Sequence, residues 1–151
     1  MKYALFIIAP ENFQDKELAI PREILEKNGI TTTIASTAPG ICRGVLGGEV
    51  EAAIGLNQIN AEDFDAVIFV GGGGSQIFRD DPAALLLAKK AFENEKIVAA
   101  ICAGPTILAA AGILENKTAT VFPDENFQKF LVESGANLSN NPVVVDGKII
   151  T

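Results

Sequence analysis

The sequence contains no histidine. That one absence removes every catalytic triad built on an imidazole and every metal site that needs one. Cysteine is scarce as well. Two residues, Cys42 and Cys102, cannot make a disulfide framework, and a reducing compartment is the simpler setting. Paired cysteine spacing of the metal-binding kind is missing, so no cofactor or metal is expected. No apolar run approaches the roughly 18 residues that cross a bilayer. The opening stretch "MKYALFIIAPENF" is apolar only briefly before Glu11 and Asn12 and has no small-residue cleavage site. It reads as a first strand and not as a signal peptide. A soluble, cytoplasmic protein with no membrane partner is the expectation. Positive charge is thin, with a formal net charge of −7 and scattered lysines and arginines. A phosphate backbone would be repelled, so nucleic acid is not expected as a partner.

What is present is a regular alternation. A chain of 151 residues is most simply one domain. "KYALFIIA", "ITTTIAS", "DAVIFV", "KIVAAI" and "KTATVF" have strand length and strand composition. Between them, "QDKELAIPREILEKNG", "PAALLLAKKAFENE", "PTILAAAG" and "DENFQKFLVESG" carry helical spacing, and three of these stop at Gly29, Gly112 or Gly135. Near-continuous apolar strands separated by helices predict a doubly wound α/β fold with a mostly parallel sheet covered on both faces. "CRGVLGGEVEAAIGL" breaks the alternation and predicts a small β excursion outside the main sheet. "NPVVVDGKIIT" predicts two short strands around an Asp-Gly turn. Ending on "KIIT" leaves one face of the last strands without a helix. The domain, residues 1–151, is therefore expected to lack a C-terminal helix, with the native chain continuing past Thr151.

In such sheets, sites lie beyond the carboxyl ends of the strands, and Cys102 stands at one of them. Ala100 and Gly104 flank it two residues away on either side. A nucleophile elbow needs that pattern, because the sharp strand-to-helix turn has no room for larger side chains there. The following helix would aim free N–H groups and its positive end at the sulfur, lowering the thiol pKa. The backbone N–H of Ala103 would be a natural oxyanion donor. A compact buried cysteine at the same place would need none of this chemistry.

Two further places bear on that choice. "FVGGGG", Gly71 to Gly74, ends the strand expected beside the elbow. Its backbone could approach an anion closely, but it matches no phosphate-binding pattern; as a plain turn it would do nothing. Glu17 lies near the start of the first helix, directly before the apolar Leu18. A carboxyl beside a thiolate would have to be protonated, since two negative charges in contact repel; a solvated helix carboxylate is the other account. Cys42, beside Arg43, is given no role.

Taken together, "AAICAGPTILA", "FDAVIFVGGG" and "FQDKELAIPREIL", with "KTATVFPD" and "VVVDGKIIT", resemble the ThiJ/PfpI superfamily over essentially the whole chain. The resemblance implies a flavodoxin-like, class I glutamine-amidotransferase-like fold and a homodimer or higher homo-oligomer. It places the nucleophilic or oxidisable cysteine at Cys102, the buried acid at Glu17 and the oxyanion N–H groups at Gly72 and Ala103. Catalytic members carry a histidine directly after the cysteine or before the proline of the "TATVFP" stretch. Here those places hold Ala103 and Phe122. The resemblance implies action on small reactive carbonyl or glycated compounds, of glyoxalase, deglycase or protease-like type, without the usual histidine. The alternative is a non-hydrolytic, redox-responsive stress or chaperone-like protein whose Cys102 meets an oxidant.

Overall fold

The computed structural model describes residues 1–151. Strand β1 (Lys2–Ile7) is the first of the apolar runs, and Leu5, Phe6 and Ile7 are completely buried. Three residues later β2 (Glu11–Phe13) leaves the main sheet and leads into helix α1 (Asp15–Lys27). Gln14 caps α1 by accepting the Lys16 N–H, and Asp15 and Glu17 occupy the first turn, where the helix dipole favours acids. Strand β3 (Ile30–Ser36) follows. The glycine-rich excursion is a hairpin of β4 (Gly40–Gly44) and β5 (Glu49–Ala52), whose β4 pairs in parallel with β2. The excursion lies outside the main sheet, but the chain returns at once to that sheet's edge as β6 (Ile54–Gly55).

Strand β7 (Ala66–Phe69), helix α2 (Pro82–Glu93), strand β8 (Ile97–Ala100) and the short helix α3 (Pro105–Ala110) build the next two strand–helix units. Asp81 caps α2 through Ala83 and Ala84, and Pro82 occupies the first turn, where its missing N–H leaves no bond unmade. The "KTATVF" stretch departs from expectation. Only Thr118–Ala119 is strand, β9, and it pairs with β10 (Asn137–Leu138) beyond helix α4 (Glu125–Glu133) in a separate ribbon. The bonds that would extend it go elsewhere: Phe122 donates to the Cys102 carbonyl at 2.8 Å, and Thr120 to the Thr151 hydroxyl at 2.9 Å. The chain closes with β11 (Val145–Asp146) and β12 (Ile149–Ile150), antiparallel around the predicted Asp-Gly turn.

The seven-stranded sheet runs β11-β12-β8-β7-β1-β3-β6 and is parallel except at β11. The chain winds outward from β1 to β3, then crosses to β7 on the other side of β1. That reversal makes the β1/β7 crevice the topological switch point, where α/β folds place their ligands. Val67, Phe69 and Val98 are fully buried on the face covered by α2 and α3. One contiguous apolar core joins these residues to β1, α3 and Phe13 of the small sheet. The opposite face is covered by α1 at one end. Beyond it an open groove of about 870 Å³ runs along Ala66, Ile68, Ala99 and Ile150.

The loop after β7 is packed against β2 so closely that side chains are tolerated unevenly. A Cβ on Gly74 would fall inside the contact radius of the Glu11 carbonyl oxygen, whereas one on Gly73 would meet nothing within 4 Å. Gly74→Ala is therefore expected to cost about 1–3 kcal/mol, the usual range for overpacking against backbone. Gly73→Ala should stay within about 0.5 kcal/mol of the parent. Urea unfolding of the two variants beside the parent measures the difference.

Candidate active site

Cys102 has a φ of +62°. A non-glycine residue held there is strained by an energy of order 1–3 kcal/mol, and the surroundings explain how the strain is maintained. Ile101 donates to the Phe69 carbonyl at 3.2 Å, ending the β8 ladder. Gly104 donates back to the Ile101 carbonyl at 2.8 Å, closing the turn. A Cβ on Gly104 would lie 2.8 Å from the Phe69 oxygen and 2.9 Å from that of Ile101. The small-residue spacing read from the sequence is thus a steric requirement of this turn.

Glu17 reaches the elbow from α1. Its Oε2 accepts the Gly71 N–H at 2.9 Å, and its carboxyl faces the thiol closely enough that each shifts the other's titration. Gly71 sits between them. A Cβ there would be 2.5 Å from Glu17 Oε2 and 2.8 Å from Cys102 Cβ, so any side chain would separate acid from sulfur. Gly72, at φ +97°, turns its amide toward the sulfur, and the Ala103 amide comes from the other side. Gln14 fixes the loop by donating to the Gly71 carbonyl at 3.0 Å. Glu17, Gly72, Cys102 and Ala103 come from three distant parts of the chain and meet at the carboxyl edge of β7 and β8.

The electrostatics differ from the expectation of a lowered thiol. Burial pushes the Cys102 thiol up, and the Glu17 charge and hydrogen bond push it further. The Gly72 and Ala103 amides oppose the rise without cancelling it. Helix α3 contributes little because it has six residues and starts at Pro105, which has no N–H to offer. Burial also raises Glu17 above the ordinary carboxylate range, with hydrogen bonds from Cys102 and Gly71 working the other way. Both groups resist charge, but a carboxyl starts far below a thiol. At neutral pH the sulfur therefore carries its proton, and the carboxyl is the more easily ionised partner.

The sulfur opens on a pocket of about 380 Å³, and Phe122 forms part of its wall while remaining half exposed. Glu17 does not line this pocket; it walls the larger groove on the far side of the sulfur. Two residues without any sequence signal support the elbow from behind. Gln76 donates to the Thr106 hydroxyl at 3.2 Å and to the Ala103 carbonyl at 3.5 Å, and Thr106 donates to the same carbonyl at 2.7 Å. Arg79, stacked 4.0 Å over the Phe130 ring, holds Gln76 through its Oε1 at 3.1 Å. Cys42 is elsewhere. It is buried in the small sheet, and Arg43 turns away from it to pair with Glu11 and Glu49. No group of three or more His, Cys, Asp or Glu is placed to hold a metal ion, and no helix is long and apolar enough to cross a membrane.

A parallel α/β sheet with a strained cysteine on a strand-to-helix elbow defines a class of proteins with a nucleophile-elbow thiol. Comparison narrows the class. The DJ-1/PfpI family profile matches residues 2–151, and the chain belongs to that family. It is 38% identical to an uncharacterized protein of Methanocaldococcus jannaschii, over 97% of this chain and 72% of that one. It is 33% identical to the deglycase PfpI of Pyrococcus furiosus, over 97% of this chain and 87% of the relative. The crystal structure of a ThiJ/PfpI domain protein from Brachyspira murdochii superposes with a TM-score of 0.93 at 36% identity, covering 98% of this chain and 84% of that one.

The geometry makes a directional prediction for the thiol. Replacing Glu17 by Gln removes the charge that disfavours thiolate, so the pH midpoint of Cys102 alkylation should fall relative to the parent. Rates of iodoacetamide labelling against pH, read on the Cys102 peptide by mass spectrometry, measure it. An unchanged or higher midpoint would contradict the coupling.

Proposed function

We propose that this protein is a cysteine-dependent enzyme acting on small reactive carbonyl compounds, free or as glycated groups, with Glu17 taking the part that a histidine plays elsewhere. The observation that carries the proposal is the Cys102–Glu17 pair with two backbone amides directed at the sulfur, which itself opens on a pocket large enough for a small organic substrate. The S–H proton passes to the Glu17 carboxylate as the sulfur attacks the carbonyl carbon. A C–S bond forms, and the carbonyl π pair moves onto oxygen. The resulting alkoxide lies against the Gly72 and Ala103 N–H groups. Return of the proton from Glu17 to that oxygen gives a neutral thiohemiacetal, with all atoms balanced. The deglycase name of the Pyrococcus furiosus relative supports this substrate class.

The redox alternative uses the same pair, with Cys102 oxidised by peroxide. The pocket favours the carbonyl reading, because a peroxide needs no lined cavity of this size. With glyoxal as probe, Cys102→Ala is expected to abolish consumption, and Glu17→Gln to slow it by about 10²–10⁴-fold, the usual contribution of a positioned base. A Cys102→Ala variant that consumes glyoxal at the parental rate would end the proposal.

A further inference from the structure

The pocket over Cys102 has a chemical character that the elbow does not dictate. None of the thirteen residues that line it has a charged side chain. Thr120, Gln128, Ser139, Asn140 and Asn141 bring hydroxyl and carboxamide groups from three segments, the residues after β9, helix α4 and the loop after β10. Most of these groups are free of the fold. The carboxamides of Gln128, Asn140 and Asn141 make no hydrogen bond within the chain, and neither does the Thr120 hydroxyl. The Ser139 oxygen accepts the Asn141 N–H at 3.1 Å and keeps its own proton to donate outward. A carboxamide offers both a donor and an acceptor, so a wall of them suits ligands that do the same.

An anion would find no compensating charge here. The Gly72 and Ala103 amides are already directed at the sulfur, and at the end of helix α4 nearest the pocket Asp124 already accepts from Asn126 at 2.9 Å and Phe127 at 3.2 Å. Glu17, the more easily ionised of the pair, stands behind the sulfur and brings no positive charge to it. An anionic ligand at Cys102 would thus find no cationic side chain on the pocket wall, whereas a neutral hydroxyl- or amide-bearing one would pair with it.

We propose that the Cys102 pocket selects uncharged electrophiles bearing hydroxyl or amide groups and rejects carboxylate-bearing ones, through Gln128, Asn140 and Asn141. This deepens the reading that Cys102 is the group a ligand approaches. It is tested without turnover by a matched pair of alkylating probes, iodoacetamide and iodoacetate, at high ionic strength to screen the net charge. The ratio of their rates at Cys102 is divided by the same ratio for a free small thiol. The parent should favour iodoacetamide by about tenfold over the free thiol, the discrimination that one or two hydrogen bonds give. Gln128→Lys should shrink that preference and the isosteric Gln128→Glu should enlarge it; folding of both is checked by circular dichroism. A parental ratio within about twofold of the free thiol, or two variants that shift in the same direction, would overturn the selectivity. Loss of glyoxal consumption with the selectivity intact would instead count against the carbonyl chemistry alone.

Discussion

The contact among Gly71, Glu17 and Cys102 is the constraint on which the rest of the site depends. Cys102 sits in left-handed backbone at the end of β8, and its side chain can meet the acid only because no Cβ stands at position 71. The neighbouring requirements follow from the same crowding. Gly104 must be bare because the turn folds back onto the Phe69 and Ile101 carbonyls, and β2 lies against the glycine loop so that Gly72 can aim its amide at the sulfur. The fold maintains this strain with a buried parallel sheet on one side and the Gln76–Thr106–Ala103 bonds on the other. A strained residue persists only where the surrounding structure over-determines its conformation, as these contacts do for Cys102.

The absence of histidine gives the pair its particular electrostatics. A histidine beside a thiol stabilises thiolate by carrying a positive charge; a carboxylate does the reverse. Burial raises both groups, so each resists its charged form. The two amides work against that rise by favouring negative charge on the sulfur.

Membership of the DJ-1/PfpI family accounts for the sheet order and the elbow, but a shared fold does not fix an activity. The walls of the Cys102 pocket lie in the segments after β8. Phe122 gives the pocket an apolar wall, and the residues around Asn140 give it a polar, uncharged one. These segments are held by few regular strand bonds. The Phe122-to-Cys102 and Thr120-to-Thr151 hydrogen bonds tie them to the elbow and to the last strand instead. Pocket chemistry and elbow geometry are therefore linked through backbone bonds that no side-chain pattern encodes.

Periodicity and turn residues were enough to read the alternating elements, the parallel sheet, the β excursion and the elbow, because each is a local consequence of residue type. Gly104 and Ala100 marked the turn, and the acidic first turn with its apolar neighbours drew attention to Glu17. "KTATVF" was misread in length, since its β-branched residues have strand propensity while their hydrogen bonds are drawn away by Cys102 and Thr151. Gln76, Thr106 and the carboxamides of the pocket were invisible, being single polar residues without a period or spacing of their own. The sequence by itself determined which elements form and where the strained cysteine falls, since backbone conformation and amphipathic spacing are short-range properties. Only the tertiary structure decided how the acid and the thiol shift each other's titration and what faces the sulfur, because burial and charge–charge contact depend on residues 54 to 85 positions apart being brought within hydrogen-bonding reach.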